Sequence, residues 1–109
     1  MEGAVTMKYN RGDIYWAEVK YEDSETVENR PILIWNENEV FCISFKITST
    51  NRGDDELECS LKDWQREGLN NPSYVRLNHL IKINKSKIIN KIGEISYLDM
   101  FRIQERLSK

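Results

Sequence analysis

Apolar and polar residues alternate along much of the chain with the two-residue period of β-strands, in short runs separated by polar turns. The runs predict six strands, at residues 13–20, 31–35, 40–48, 57–60, 73–83 and 91–95. Only Asn-Glu-Asn-Glu at 36–39 separates the second strand from the third, so these two predict a β-hairpin. Two polar residues mark its open end, because Arg30 precedes the first hairpin strand and Thr48 closes the second.

Alternation along the hairpin predicts which way its polar residues point. A four-residue turn pairs residues whose numbers sum to 75, which places Arg30 opposite Phe45 and Thr48 roughly 10 Å further along its strand. Thr48 falls on the same face as Cys42 and Ser44, opposite the apolar face, and is predicted to point to solvent or a groove. The length of an arginine side chain, together with a bulge, would bring Arg30 and Thr48 close to each other.

Two segments have helical features. Residues 61–67 fit about two helical turns before Gly68, a favourable residue after a helix C-terminus. Ser96 and Asp99 have the spacing of a capping box, which predicts a C-terminal helix with apolar residues at mostly helical spacing. Strands and helices together predict an α+β domain.

The fifth predicted strand carries several polar candidates. Val75, Leu77 and His79 share one face, whereas Arg76 and Asn78 share the other, which is predicted to face solvent or a ligand. His79 is the only histidine of the chain. Because it lies with apolar neighbours, an inner or rim position is favoured over a role as general base.

Length and composition indicate one globular domain. The chain has 109 residues, of which 9–109 are assigned to the domain and 1–8 to a flexible N-terminal tail. Hydrophobic residues make up 39% and charged residues 31%, which excludes a disordered chain. No apolar run approaches the length of about 18 residues that spans a membrane, and the N-terminus lacks a secretory signal. A cytoplasmic location is therefore expected.

Charge and cysteine content narrow the chemistry further. The net charge is −2, yet no acidic residue lies between Glu67 and Glu94. The basic residues in that interval are Arg76, Lys82, Lys85, Lys87 and Lys91. Such a segment either follows a phosphate backbone or forms a solvated polar face. Cys42 and Cys59 lack the spacing of a zinc or redox pair, and Cys42, within an apolar strand, is expected to be buried.

Five short blocks of sequence, taken together and in their order along the chain, resemble a known family. They are RGDIYWAEV at 11–19, NRPILI at 29–34, KITS at 46–49, GLNNPSYVRLNHLIKI at 68–83 and KIGEIS at 91–96. With the C-terminal helix, they resemble the PemK/MazF-like toxin family over about residues 9–107. The resemblance implies a small, mostly antiparallel, β-barrel-like (SH3-like) domain with a short internal helix and a C-terminal helix. It also implies a homodimeric endoribonuclease that cuts single-stranded RNA at short sequence motifs without a metal or other cofactor.

The resemblance also assigns site residues. The family's arginine before proline matches Arg30 and its threonine at the end of the third strand matches Thr48, which implies that this pair is catalytic. An RNA-binding role is implied for Ser24, Glu25, Ser49, Arg76, Asn78 and His79. Two positions depart from the family pattern, since Asn78 replaces an aspartate of the plasmid-borne branch and His79 replaces a frequent glutamine.

The chemistry of the implied pair fits RNA cleavage by a neighbouring 2′-hydroxyl. A guanidinium binds two oxygens of the pentavalent phosphorus, and a hydroxyl donates a further hydrogen bond. Because arginine stays protonated, Arg30 is assigned to charge stabilisation or acid assistance. No residue of the sequence stands out as the base. The acidic residues of the first loop, Glu22, Asp23, Glu25 and Glu28, would repel phosphate unless they contact bases.

Two other functions compete with RNA cleavage. A relative of phage or plasmid origin would bind a protein or nucleic acid without cutting it. A gyrase-directed toxin of the same fold would need an apolar C-terminal helix tip, which the basic ending RIQERLSK does not offer. The family also implies a cognate antitoxin, whose acidic and apolar tail is expected over the surface of Arg30 and Arg76.

Overall fold

The computed structural model describes residues 8–20, 25–49 and 57–108. Its elements are β1 (Asp13–Lys20), β2 (Val27–Glu37), β3 (Phe41–Thr48), β4 (Glu58–Ser60), β5 (Tyr74–Asn84), a 3₁₀ turn (Lys85–Lys87), β6 (Ile88–Glu94) and α1 (Tyr97–Leu107). All six predicted strands are confirmed, and β2 begins four residues before its predicted start. The predicted N-terminal tail, apart from Lys8, lies outside the described residues. None of the helices in this part of the chain is long and apolar enough to span a membrane.

The strands form one antiparallel sheet in the order β4-β5-β3-β2-β1-β6. In the described part of the chain the sheet has two edges, β4 and β6, and does not close. The prediction of a barrel-like sheet is therefore wrong in this respect. Among the described strands, the edge strand β4 has three residues and pairs only with the start of β5.

The predicted internal helix at 61–67 is also wrong, because residues 62–68 form consecutive turns. Their hydrogen bonds mix two spacings, since Glu67 N–H donates to the carbonyl of Asp63 and Gly68 N–H to that of Gln65. A segment of this length lacks the propagation that makes a helix stable. Gly68 ends it with a φ of +93°, which agrees with its predicted place after the last turn.

Both faces of the sheet bear buried apolar clusters. One cluster contains Ile14, Leu33, Phe45, Ile47, Cys59, Leu61, Leu69, Val75 and Ile103. The other contains Tyr9, Tyr15, Ala17, Val19, Ile32, Ile34, Cys42 and Ile83. On the second face of β3, Cys42 and Ser44 are both fully buried, and Thr48 at the end of the strand is half-buried. Burial raises the pKa of the Cys42 thiol to about 11, which confirms the prediction of an inert, buried cysteine.

The hairpin register differs from the prediction by three residues. Leu33 pairs with Phe45, so paired numbers sum to 78 and not 75, with a bulge after Ile34. The predicted register is wrong because the turn is displaced toward β3. The side chain of Asn38 holds it there by accepting hydrogen bonds from the backbone N–H groups of Val40 and Phe41, at 2.8 and 2.9 Å.

A second irregularity interrupts β5. Phe45 pairs with Leu80, but the next residue of β3, Lys46, pairs with Arg76. Residues 77–79 therefore have no partner on β3 and form a bulge. This bulge breaks the alternation that the sequence predicted for the fifth strand.

Two buried carboxyl groups fasten the 61–67 segment to α1. Asp99 accepts hydrogen bonds from the backbone N–H groups of Lys62 and Asp63, both at 2.9 Å. Glu67 accepts one from Ser96 N–H at 2.8 Å, while the Ser96 hydroxyl accepts one from Asp99 N–H at 3.1 Å. The predicted cap at Ser96 is confirmed, and the 61–67 segment completes it from outside the helix.

The two carboxyl groups titrate in opposite directions. Burial, followed by the hydrogen bond with Asp99, raises the pKa of Glu67 to about 7. Burial alone would raise the pKa of Asp99, but hydrogen bonds from Glu67 and from backbone N–H groups lower it overall. Near neutral pH a protonated Glu67 thus donates to an ionised Asp99.

We expect the free energy of unfolding to fall as the pH rises from about 4.5 to about 7. Since the folded pKa of Glu67, about 7, exceeds the ordinary 4.5, its contribution is complete below pH 4.5 and lost above pH 7. At 1.36 kcal/mol per pKa unit the total is at most about 3 kcal/mol. Glu67→Gln keeps an acceptor for Ser96 N–H and a donor for Asp99, and should remove this fall.

Urea denaturation at several pH values measures the effect, with the exposed Glu105→Gln as the control. A wild-type stability that is constant between pH 5 and 8 would contradict the proposed proton on Glu67. So would a Glu67→Gln variant that keeps the wild-type pH dependence.

Candidate active site

A polar cavity of about 300 Å³ lies where β2 extends past its last pair with β3. It is lined by Trp16, Glu28, Asn29, Arg30, Pro31, Ile47, Thr48, Ser49, Gly68, Leu69, Asn70, Asn71, Ser73 and Ile92. Three of the predicted site residues, Arg30, Thr48 and Ser49, are therefore brought together. Larger cavities of about 650 and 590 Å³ elsewhere contain none of the predicted site residues.

The register of the sheet explains why Arg30 and Thr48 meet. Continuing the observed β2–β3 sum of 78 by two residues beyond Ile32 and Lys46 brings Arg30 level with Thr48. Each is anchored on its other side, since Arg30 pairs with Ala17 of β1 and Thr48 with Tyr74 of β5. The backbone of β2 at Arg30 is therefore fixed by β1, and the backbone of β3 at Thr48 is fixed by β5.

Glu28 holds the guanidinium of Arg30. Its Oε1 atom lies 2.9 Å from Nη2 of Arg30, and the side chains are 44% and 35% exposed, respectively. Both residues line the cavity. The sequence reading counted Glu28 only as one acid of the first loop. The available signal was its spacing of two from Arg30, which puts both side chains on one face of a strand.

The loop after Gly68 supplies a wall that sequence reasoning missed. Asn70 and Asn71 are exposed at the cavity, and the Ser73 hydroxyl donates a hydrogen bond of 2.7 Å to the carbonyl of Asn71. The turn sequence Asn-Asn-Pro was visible, but its position beside the hairpin was not. The side-chain amides provide both donors and acceptors, which suits contacts with base edges.

The loop is held against β6 by close backbone packing. A side chain at Gly93 would collide with the carbonyl oxygen of Glu67, and one at Gly68 would lie 2.6 Å from the carbonyl oxygen of Ile92. Only glycine permits this approach at either position. The floor of the cavity at Ile92 is thereby fixed relative to Asn70 and Asn71.

Arg76 lies elsewhere and does not face solvent as predicted. Its Nε atom is 3.4 Å from Oε2 of Glu58, and the side chains are only 13% and 3% exposed. The pair forms because β4 aligns with β5 so that Glu58 and Arg76 are directly opposite each other. The guanidinium is thus engaged in a largely buried ion pair.

Three of the remaining predicted RNA contacts, Glu25, Asn78 and His79, do not line the cavity. Asn78 is exposed and His79 partly buried, and both lie in the β5 bulge. Glu25 is exposed, 3.5 Å from Nζ of Lys20. Ser24 lies outside the described residues. The role of each in RNA binding stays a prediction.

The predicted basic segment is largely paired with acids. Lys85 lies 2.8 Å from Glu37, and Lys91 lies 2.9 Å from Glu94. These contacts favour a solvated, locally neutralised face over a continuous phosphate track. In the described ranges, no three or more His, Cys, Asp or Glu side chains cluster so that they could hold a metal ion.

Comparison with solved structures supports the fold. One similar structure is an endoribonuclease from a mycobacterial species in complex with its cognate antitoxin, with a TM-score of 0.75, 19% identity and coverage of 93% of this chain and 92% of that chain. Another is the Mycobacterium tuberculosis toxin MazF-mt6, with a TM-score of 0.72, 23% identity and coverage of 88% and 92%. At these identities the likeness shows the fold alone.

Comparison of the sequence with family models is more specific. No match was found among curated proteins. Residues 10–109 match the model of the PemK-like, MazF-like toxin of type II toxin-antitoxin systems. This span covers all five blocks that carried the resemblance. The chain therefore belongs to the PemK-like, MazF-like toxin family of type II toxin–antitoxin systems.

Proposed function

We propose that the protein is the toxin of a type II toxin–antitoxin system and acts as a sequence-specific endoribonuclease on single-stranded RNA. The observation that carries the proposal is the meeting of Arg30 and Thr48 in one polar cavity of a chain from this family. The reaction is attack of a 2′-hydroxyl on the adjacent phosphorus, without a metal ion.

Arg30 and Thr48 serve this reaction as fixed donors. Attack by O2′ adds negative charge to the phosphate oxygens, and the guanidinium of Arg30 binds two of them in its planar fork. The Thr48 hydroxyl donates a further hydrogen bond to the same group. Donors aimed at developing charge typically contribute about 10²- to 10³-fold each to the rate.

The surrounding polar residues are suited to reading the RNA sequence. The amides of Asn70 and Asn71 and the exposed Ser49 border the site of the phosphate. A base has to leave its stack before amides can bind its edge, which favours single-stranded RNA. The family role of Ser24, Glu25, Asn78 and His79 in holding flanking nucleotides belongs to the same proposal.

Two protein partners follow from the proposal. The solved relative in complex with its cognate antitoxin is the precedent for a protein inhibitor. The antitoxin tail, with acidic and apolar residues, would occupy the Arg30 cavity and so exclude RNA. The toxin itself would act as a homodimer in the cytoplasm.

Replacing Arg30 by alanine should lower the rate of cleavage about 10³-fold, because the developing charge loses its principal donor. Thr48→Val should lower the rate about 10²-fold by removing one hydrogen bond. The measurement is cleavage of a long defined RNA in EDTA, with every new end mapped. Specific cuts that leave 5′-hydroxyls are expected for the wild type, and equally for the exposed Arg66→Ala, which lies outside the cavity.

Absence of cutting by a folded wild-type protein would contradict the proposal. RNA binding without cutting, unaffected by Arg30→Ala, would favour the alternative of a non-catalytic binding protein. Loss of cutting in EDTA that returns with added Mg²⁺ would contradict the metal-independent reaction only.

Arg76→Ala should reduce stability, since Glu58 would remain buried and unpaired. Breaking a buried ion pair costs about 3–5 kcal/mol. Replacing Glu58 by alanine as well should recover part of this loss. Thermal unfolding of both variants measures the loss of stability. An Arg76→Ala variant as stable as the wild type would contradict the structural role of the Glu58–Arg76 ion pair.

Sedimentation should give a species of twice the 12.9 kDa chain mass at micromolar concentration. Large apolar side chains are exposed on α1, with Tyr97 97%, Phe101 58% and Leu98 52% accessible. Exposed apolar surface of this kind is typical of a protein–protein interface. A single species of 12.9 kDa would contradict the homodimer.

A further inference from the structure

The proposed reaction requires a group that takes the proton from the attacking 2′-hydroxyl. Arg30 cannot serve, because a protonated guanidinium has no free lone pair. Thr48 cannot serve either, because a neutral hydroxyl is a very weak base. The partly buried His79 lies in the β5 bulge and does not line the cavity.

Among the described residues that line the cavity, Glu28 is the only one with a carboxylate, a group that can accept a proton. We infer that Glu28 is the general base of the cleavage reaction, an inference that rests on the proposed function. Its carboxylate is 44% exposed and therefore within reach of a bound nucleotide. A carboxylate beside a guanidinium provides both the base and the charge-stabilising group for the same phosphate.

The backbone of β2 places the Glu28 carboxylate beside the Arg30 guanidinium. Glu28 and Arg30 alternate on one face of β2, opposite the buried residues Val19 and Ala17 of β1. Their ion pair of 2.9 Å fixes the carboxylate on the guanidinium that is proposed to hold the phosphate. The 2′-hydroxyl next to that phosphate therefore lies near the carboxylate.

The Glu28 carboxylate takes the proton of the 2′-hydroxyl, and the freed electron pair of O2′ forms a bond to phosphorus. The bond from phosphorus to O5′ breaks, its electron pair stays on O5′, and O5′ takes a proton from solvent. The products are a 2′,3′-cyclic phosphate and a 5′-hydroxyl, after which Glu28 returns its proton to solvent.

The charge of Glu28 is predicted to have opposite effects on RNA binding and on the rate of cleavage. Among the described residues that line the cavity, Arg30 of the same strand is the only charged residue besides Glu28. β1, β3, β6 and the 68–73 loop contribute Trp16, Thr48, Ser49, Ile92 and uncharged loop residues to the cavity. An anionic phosphate must share Arg30 with the Glu28 carboxylate, so the carboxylate weakens RNA binding while it accelerates cleavage.

The test compares Glu28→Gln, Glu28→Asp and wild type in single-turnover cleavage at saturating RNA across pH 4.5 to 9. Glu28→Gln should cleave about 10²- to 10⁴-fold more slowly and lose the rise in rate with pH on the acid side. Glu28→Asp should regain part of the rate and the pH-dependent rise. An RNA with a 2′-deoxy nucleotide at the cut site should bind Glu28→Gln as tightly as wild type or more tightly.

Glu18→Gln is the matched control, because Glu18 lies on the neighbouring strand, opposite Asn29, and is exposed outside this cavity. Glu28→Gln cleavage at the wild-type rate and pH profile would overturn the inference and leave the proposed function intact. A slower Glu28→Gln enzyme with an unchanged pH profile would also overturn it, leaving Glu28 as a positioning residue for Arg30. A folded wild type that cuts no RNA would overturn the proposed function, and this inference with it.

Discussion

The buried junction of Glu67, Ser96 and Asp99 joins the 61–67 segment to the start of α1. The carboxyl groups of Glu67 and Asp99 accept hydrogen bonds from three backbone N–H groups, which belong to two segments far apart in sequence. The junction holds the 61–67 turns against α1, and through Gly68 and Gly93 against β6. The loop that follows, with Asn70 and Asn71, is therefore positioned at the cavity of Arg30 and Thr48 by groups that lie outside it.

Much of this fold could be predicted because its signals are local. The bounds of β1 follow from its run of aromatic and β-branched residues, and those of α1 from the cap at Ser96. The ordered blocks identified the family, and with it the pair of Arg30 and Thr48. The structure brings these two residues together in one cavity, and their proximity was predicted from the sequence.

Several of the errors concern how one strand pairs with another, which the local sequence of either strand does not determine. The hairpin register depends on the Asn38 turn and the bulge after Ile34, and a shift of three residues leaves the apolar pattern compatible with a hairpin. The buried state of Arg76 depends on β4, a strand of three residues that aligns Glu58 with it. Periodicity within one strand contains no information about either arrangement.

The acidic first loop posed a problem for a nuclease, since carboxylates repel phosphate. One of these acids, Glu28, forms an ion pair with Arg30, so its negative charge is placed against a guanidinium. Under the proposed function, a carboxylate that already neutralises the Arg30 guanidinium would lower the attraction for RNA in general, and phosphate would have to displace part of this contact in order to bind. Weak attraction to every phosphate gives greater weight to contacts with bases, which in this cavity are offered by uncharged amides and hydroxyls. Glu28 would then favour sequence-dependent binding by the same charge that makes it a base.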